Sequence, residues 1–379
     1  MQVKRRQFLL TLPAVCLAAD EGKGRTAISK PVGYADPATE FAVIRLTDPT
    51  ITSILPANFG RPISKRGNVL LFSCDATGRM EAYRLDYRTG EVRQLTDAAN
   101  LEPHSLTLTA DERSFAYLDG DKLTLGNFGT LRGRDVYKAS AGYELVPGFS
   151  IADDGLYAAL VERKESRHRL RLVRMLDGVA TTISEADEPF ADPLPRPRRA
   201  SVLYRRGAAL WLANYDGQQN FRLKTAEGEV KSALWNPDGR TVIYLHIPAD
   251  RKRLNSLREL TPDTNSEDKP IADTSQFVTF GRNADASVFV GASGSKASPH
   301  VLLLVRAVRR ELTLAEHRAS DPSMVAPVFA PNSRRIFFNS DRHGKPAIYS
   351  MQVDKLVEET EDDERPTARD GTGKDKTAR

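Results

Sequence analysis

The chain has 379 residues, of which 28% are charged, and its formal net charge is +5 at pH 7. This charged fraction predicts a soluble protein, and no segment has the periodicity of a long amphipathic helix. Residues 4–6, Lys-Arg-Arg, carry three of the excess positive charges, which leaves +2 on the rest of the chain. So small an excess does not support a prediction of nucleic-acid binding.

Residues 1–19 resemble an export signal. A basic stretch at residues 4–6 precedes an apolar run at residues 8–19, which is too short to span a bilayer. The motif Arg-Arg-Gln-Phe-Leu at residues 5–9 is typical of twin-arginine export. We therefore expect a periplasmic or secreted protein with no membrane span after cleavage. The alternative is a buried N-terminal helix.

Composition divides the rest of the chain into three parts. Residues 20–40 are rich in Gly, Lys, Thr and Pro and are predicted to be a linker. Residues 41–353 carry a repeat, and residues 354–379 are predicted to be a disordered charged tail. Cys16 leaves with the signal, so Cys74 remains alone and no internal disulfide is expected.

The repeat in residues 41–353 is an apolar strand, a polar turn and a second apolar strand. It returns about every 40–47 residues, which is the period of four-stranded propeller blades. Seven turns carry it, at residues 64–68, 109–113, 152–155, 196–199, 236–240, 283–285 and 331–334. The predicted fold is therefore all-β, a seven-bladed β-propeller of four-stranded antiparallel blades.

The last blade lacks a fourth strand, because the strand pattern stops after Met351. Near the start of the repeat region, residues 41–46 read Phe-Ala-Val-Ile-Arg-Leu and form an apolar strand without a blade of its own. We expect this N-terminal strand to become the outer strand of the last blade. It would close the ring and pair an exposed sheet edge.

The sequence has no nucleophile elbow, phosphate loop, zinc-protease motif or cysteine cluster. Its six histidines are widely spaced. His104 precedes a predicted innermost strand and His246 adjoins another predicted strand, so these two are the candidate catalytic residues. The alternative, which is favoured for each histidine alone, is a structural role.

Arg167, Arg169 and Arg171 share one face of a predicted strand, because side chains alternate along a strand. Such a basic strip would bind an anionic ligand by charge. The favoured alternative is an outer blade edge that cations protect against pairing with another sheet.

The last blade carries a family resemblance. Residues 329–349, Phe-Ala-Pro-Asn-Ser-Arg-Arg through Pro-Ala-Ile-Tyr, resemble the repeat of TolB-type propellers and, most of all, the C-terminal blade of oligogalacturonate lyases. Residues 71–75 and 85–97 in the first blade fit the same family. The resemblance implies a seven-bladed lyase that cleaves by β-elimination. It also implies a divalent metal, typically manganese, on three His and a Gln, with another His as base.

The chain departs from the family at the ligand segment Gln-x-x-His-x-His-Pro. Here Asp321 replaces the Gln, and Met324 and Ala326 replace the two His, while Pro327 matches. Alanine has no ligand atom, and a thioether is a poor ligand for a hard cation. We therefore expect no metal and no other cofactor, and manganese only if the protein is an active lyase.

Three functions follow from these observations. The favoured one is a non-catalytic exported propeller that binds a polysaccharide or a protein. The second is an oligogalacturonate lyase acting on pectic oligosaccharides by metal-assisted β-elimination, and the third is a TolB-like assembly partner in the cell envelope. The expected partners are an anionic polysaccharide or an envelope protein, with no nucleic acid, and the protein is expected to be a monomer.

Overall fold

The computed structural model describes residues 22–57, 59–65, 68–263 and 268–357. The predicted export signal and residues 358–379 of the predicted tail lie outside these ranges. Helical structure in the described ranges is limited to a 3₁₀ turn at Pro322–Val325 and a four-residue helix, α1, at Asp354–Val357. No helix in these ranges is long and apolar enough to cross a membrane.

About half of the described chain forms short antiparallel strands. In chain order they are β1 Thr26–Ile28, β2 Val32–Ala35, β3 Ala42–Arg45, β4 Ser53–Ile54, β5 Val69–Cys74, β6 Glu81–Asp86, β7 Glu91–Gln94, β8 Thr107–Leu108, β9 Ser114–Asp119, β10 Lys122–Asn127, β11 Gly133–Lys138, β12 Glu144–Leu145, β13 Ser150–Ile151, β14 Tyr157–Lys164, β15 Arg167–Arg174, β16 Ala180–Ala186, β17 Phe190–Pro195, β18 Ser201–Arg206, β19 Ala209–Asn214, β20 Asn220–Arg222, β21 Gly228–Trp235, β22 Val242–Pro248, β23 Ser256–Leu260, β24 Lys269–Asp273, β25 Phe277–Arg282, β26 Val288–Ser293, β27 His300–Val305, β28 Arg310–Glu316, β29 Val328–Phe329, β30 Arg335–Ser340 and β31 Ala347–Gln352.

These strands form seven sheets, the blades of a propeller. Blades 1 to 6 are β4–β7, β8–β11, β12–β16, β17–β20, β21–β24 and β25–β28, and blade 7 is β29–β31 with β3. The predicted seven-bladed all-β fold is confirmed. Each predicted turn precedes the second strand of a blade, because the polar turn joins the inner strand to its apolar neighbour.

The core consists of seven apolar clusters, one at each junction between neighbouring blades. Alternation along the strands builds them, since successive side chains point to opposite faces of a blade. In β5, Leu70 and Phe72 face blade 7, whereas Leu71 faces blade 2. Every blade is therefore buried on both faces, and the junction between blades 7 and 1 closes the ring.

An N-terminal strand completes blade 7, as the sequence predicts. In β3, Ile44 and Arg45 pair with Ser350 and Tyr349 of β31. Next to β3, Thr47 Oγ1 accepts a hydrogen bond from Ile348 N at 2.9 Å. The ladder supplies the partners that the edge of β31 would otherwise lack.

The segment predicted as a linker, residues 20–40, contains two strands. β1 pairs with β7 at the outer edge of blade 1, and β2 pairs with β3 at the outer edge of blade 7. The partner of β1 is distant in sequence, whereas β2 forms a hairpin with the next strand, β3, and composition alone reveals neither pairing. The predicted tail also begins with ordered structure, because Leu356 of α1 packs against the cluster between blades 6 and 7.

A segment of blade 1 leaves its sheet and crosses the central channel. Ile54 pairs with Ser73 and Ile63 with Leu70, so eight residues on one strand lie opposite two on the other. We call residues 55–57 and 59–62 of this excursion the crossing segment. Leu108 N donates to Arg61 O at 2.9 Å, which fixes the segment on the inner strand of blade 2.

Candidate functional site

The channel has two ends, and they present different groups. At the entry mouth the inner strands begin, and the loops that precede them include residues 102–106 and 321–327. At the other end the inner strands finish and turn outward. There, residues from all seven blades line a cavity of about 620 Å³, which we call the exit chamber.

Residues 321–327 at the entry mouth occupy the ligand segment of the lyase resemblance. The Asp321 carboxylate accepts hydrogen bonds from Ser323 N at 2.9 Å and Ser323 Oγ at 2.7 Å, which caps the turn. Met324 is partly exposed, and Ala326 adopts a left-handed φ of 39°. One engaged carboxylate, a thioether and a methyl group do not fit a hard divalent cation.

His317 is the histidine closest in sequence to that segment. Its Nε2 donates to Ser293 O at 3.0 Å, and its Nδ1 accepts from Ala319 N at 3.0 Å. Burial lowers the pKa of His317, which favours this neutral form. Both ring nitrogens are therefore engaged. The described residues contain no group of three or more His, Cys, Asp or Glu side chains suited to a metal.

His104 lies half-buried at the entry mouth, in the loop before β8. Its carbonyl accepts a hydrogen bond from Ala57 N of the crossing segment at 3.0 Å. Glu102 Oε1 accepts from His104 N at 3.1 Å, while Glu102 Oε2 is buried without a hydrogen-bond partner among the described residues. Burial raises the pKa of Glu102, and His104 opposes that shift.

His246 lies on β22, the second strand of blade 5. It is 5% exposed, and its Nε2 hydrogen-bonds Glu227 O at 2.8 Å. The ring lies edge-on to Tyr244. The structure thus places His104 and His246 on different blades, and His246 holds the loop between blades 4 and 5 in place.

Arg167, Arg169 and Arg171 share one face of β15, the third strand of blade 3, which lies between β14 and β16. β15 is therefore not an outer edge, so the predicted edge protection is wrong. Arg167 and Arg169 both pair with Glu185, and Arg171 lies 3.6 Å from Glu162. These carboxylates already meet much of the positive charge that would attract an anionic ligand.

The exit chamber carries charge of a different kind. Its lining includes four cations, Arg61, Lys65, Arg198 and Arg282, and two carboxylates, Glu112 and Asp153. Glu112 Oε1 accepts a hydrogen bond from Lys65 N at 2.6 Å. Asp153 is exposed at the rim. The cations therefore outnumber the carboxylates, and one carboxylate is engaged within the wall.

Arg61 and Arg282 are the inner cations of the chamber. Arg61 Nη2 is buried and has no hydrogen-bond partner in the described ranges. Arg282 Nε donates to Trp235 O at 2.8 Å and Nη1 to Asn283 O at 3.1 Å, both neutral acceptors. Burial lowers the pKa of both arginines, and Asp153 partly opposes the shift. Both remain charged at neutral pH.

Neither Arg61 nor Arg282 belongs to a basic run, so the local sequence does not single them out. The signal that is available is their position close before a turn of the repeat. That position indicates the end of the channel only if one already knows which strand of each blade is the inner one.

Sequence comparison relates the chain to two curated proteins, whereas no family model matches it. It is 24% identical over 378 residues to an oligogalacturonide lyase of Pectobacterium atrosepticum, covering 86% of this chain and 96% of that protein. It is 23% identical over 377 residues to an oligogalacturonate lyase of Dickeya dadantii, with the same coverage of 86% and 96%. The chain resembles the oligogalacturonate lyases.

Structural comparison agrees on the fold. A solved oligogalacturonate lyase in complex with manganese superposes with a TM-score of 0.83 at 24% identity, covering 88% of this chain and 98% of that one. The expected resemblance to the lyase propeller is thus confirmed. Manganese belongs to that solved protein, and the side chains at residues 321–327 of this chain differ from the expected ligands.

Proposed function

We propose that this protein is a propeller that binds an acidic oligosaccharide without cleaving it. The side chains at the lyase ligand positions, Asp321, Met324 and Ala326, carry the proposal. The class of ligand comes from the similarity to oligogalacturonate lyases over most of the chain.

The chemistry of β-elimination explains why these positions matter. Removing a proton from the carbon next to a carboxylate requires a positive group on that carboxylate and a base at the C–H bond. At the entry mouth, the turn uses the Asp321 carboxylate as a cap, and Met324 and Ala326 offer no hard donor. Without that positive group the C–H bond stays weakly acidic, and a bound uronate persists intact.

A lyase with a rearranged site is the second candidate. The observation that favours it is Glu102, whose buried Oε2 lacks a hydrogen-bond partner in the described ranges and lies on the same loop as His104. A carboxylate with a raised pKa is suited to proton transfer near neutral pH. An arginine would then have to replace the metal at the substrate carboxylate.

The test measures metal, binding and turnover on the same purified protein. Trigalacturonate should bind in calorimetry without added metal, Mn²⁺ alone should not bind tightly, and absorbance from a new C=C bond should not appear with either. Turnover that a chelator removes would contradict the proposal and support a metal-dependent lyase. Metal-free turnover that Glu102→Gln abolishes would support the rearranged site. Glu144→Gln, at an exposed glutamate paired with Arg163, is the control.

We also propose that the protein is exported in the folded state. The support is the twin-arginine motif at residues 5–9, which precedes the apolar run. Replacing Arg5 and Arg6 by Lys should retain the precursor in the cytoplasm, as fractionation would detect. Normal export of that variant would indicate the general secretory route instead.

A further inference from the structure

An aromatic side chain narrows the exit chamber at its inner end. The Phe59 ring, carried across the channel by the crossing segment, packs against the cluster between blades 4 and 5 and the cluster between blades 5 and 6. Gly148 of blade 3 also lies close, since a Cβ there would be 3.5 Å from Phe59 Cζ. The Phe59 ring therefore narrows the inner end of the chamber, and the outer end is open to solvent.

Glycine eases the approach of the segment to blade 2. A Cβ at Gly60 would lie 3.1 Å from Ala57 O and 3.3 Å from Leu106 O, tighter than almost all real contacts. A side chain at residue 60 would crowd both carbonyl oxygens, so glycine favours this close approach of the backbone to blade 2. The wall is thus part of the close packing of the fold.

The inner cations of the chamber differ from Arg196, a buried arginine that has a carboxylate partner. Arg196 has a side chain that is 2% exposed, and it forms two hydrogen bonds of 2.6 Å to the Asp263 carboxylate. By contrast, no carboxylate in the described ranges lies within ion-pair distance of Arg61 or Arg282. Both side chains are half-buried, and partial burial of a charge without an ion-pair partner is unfavourable. The chamber is therefore expected to take its counter-ion from outside.

The walls also suit the rest of a small saccharide. Trp235 and Phe329 line the chamber together with Phe59. Trp235 Nε1 is already bonded to Leu194 O at 3.0 Å, and the residue is 5% exposed, so the indole contributes a small apolar surface to the chamber. The lining as a whole mixes polar and apolar groups, and its volume of about 620 Å³ lies within the common size range of small-ligand sites.

We propose that the exit chamber binds one end of a uronate oligosaccharide, with Arg61 and Arg282 holding its carboxylates and the Phe59 wall limiting how far it enters. The choice of uronate rests on the proposed function, whereas the anion site rests on the arginines and the wall. Arginine is suited to this role because its planar guanidinium matches a carboxylate with paired donors. Lys65 and Arg198 lie at the rim and would attract the ligand.

The experiment uses the intrinsic fluorescence of the chamber. The chain has two tryptophans, so a Trp211→Phe background leaves Trp235 as the reporter. Trigalacturonate should change its emission, and the fully methyl-esterified trisaccharide, which is neutral, should not. Arg61→Gln and Arg282→Gln should each weaken trigalacturonate binding at least about tenfold, the range for loss of a charged hydrogen bond. Arg240→Gln, on an exposed turn at the same face, is the matched control and should change it less than twofold.

Each outcome has a distinct meaning. If calorimetry detects trigalacturonate binding but Trp235 is silent and both arginine variants bind normally, the chamber proposal fails and the proposed function stands. If trigalacturonate does not bind at all and inorganic phosphate changes the Trp235 emission in an Arg61-dependent way, the uronate proposal and the proposed function both fail. Equal binding of the ester and the free acid would overturn the role of the arginines without relying on any variant. Thermal melting of each variant verifies that it is folded.

Discussion

The two ends of the channel treat their polar groups in opposite ways. At the entry mouth, the Asp321 carboxylate and both nitrogens of His317 are bonded within the protein. At the exit chamber, Arg61 keeps a buried nitrogen without a partner in the described ranges, and Arg282 meets only carbonyl oxygens there. At the entry mouth, where the lyase resemblance places the catalytic site, most of these polar groups are therefore hydrogen-bonded within the protein. At the exit chamber, the two arginines have no carboxylate partner among the described residues and are suited to bind an anion.

The difference shows that a shared fold does not fix where a protein uses its free polar groups. Glu102 is the exception at the entry mouth, because its Oε2 is also buried without a partner in the described ranges. A carboxylate can relieve this by taking up a proton, and burial does raise its pKa. An arginine cannot lose its charge near neutral pH, so the chamber has the stronger need for a ligand.

The largest effect is expected from opening the ring, since both ends exist only in a closed propeller. Deleting residues 22–46 removes β1–β3. Val43 and Leu46 are almost fully buried, and losing their burial alone should lower the free energy of unfolding by about 3–6 kcal/mol. Thermal melting should show a much lower midpoint. Deleting only residues 22–28 removes the exposed strand β1 and is the milder control. Equal melting of the long deletion and the full protein would refute ring closure by β3.

The wall between the ends should be the next most sensitive feature. Phe59→Ala removes a partly buried ring that contacts the clusters on both sides of blade 5. We expect a loss of about 2–4 kcal/mol in the free energy of unfolding, near the lower end of the range for Phe→Ala. Urea denaturation measures it. Phe221→Ala, at a side chain that is 42% exposed, is the control and should change stability by less than about 0.5 kcal/mol. A Phe59 variant as stable as its control would mean that the crossing segment is not a wall.

At the entry mouth, protonation of His317 at low pH should lower the free energy of unfolding. Burial depresses the pKa of His317 in the folded state, so the unfolded chain binds more protons below about pH 6.5. Stability from this group is therefore fully present above about pH 6.5 and is lost as the pH falls through the lower folded value. His317→Asn should flatten the change in unfolding free energy between about pH 6.5 and 5. A smaller slope should persist from His343, whose pKa burial also lowers. An unchanged slope in the variant would contradict this role.

The repeat predicted the fold because each blade encodes its own turn and its own alternation. Leu70, Leu71 and Phe72 show this, since successive residues pack on opposite neighbours. Closure by β3 was also predictable from the missing strand of the last blade. By contrast, β1 is held by β7, which is far away in sequence, and β2 is an additional outer strand paired with β3. Short exposed strands of this kind have no apolar alternation to indicate them.

The sites were harder to predict than the fold. Arg167, Arg169 and Arg171 form a conspicuous basic stretch, yet Glu185 and Glu162 meet their charge. Arg61 and Arg282 are isolated in sequence, and they line the same cavity only because seven inner strands end at one place. The crossing segment reads as an ordinary loop, and its position depends on contacts with blades across the ring. Tertiary geometry, and not local pattern, decides which charges stay free.

The smallest expected effect on stability comes from replacing a chamber arginine, and it distinguishes a ligand-binding arginine from a structural one. Arg61→Met removes a guanidinium nitrogen that has no partner in the described ranges, so the free energy of unfolding should stay the same or rise by about 1 kcal/mol. Arg196→Met, by contrast, strips the paired Asp263 of two hydrogen bonds and should lower it by about 1–3 kcal/mol. Urea denaturation without ligand compares the two variants. A residue kept for its ligand is one whose removal harms binding and spares the fold, whereas a structural residue shows the reverse. Equal destabilisation by both substitutions would place Arg61 with the structural arginines and remove the contrast between the two ends.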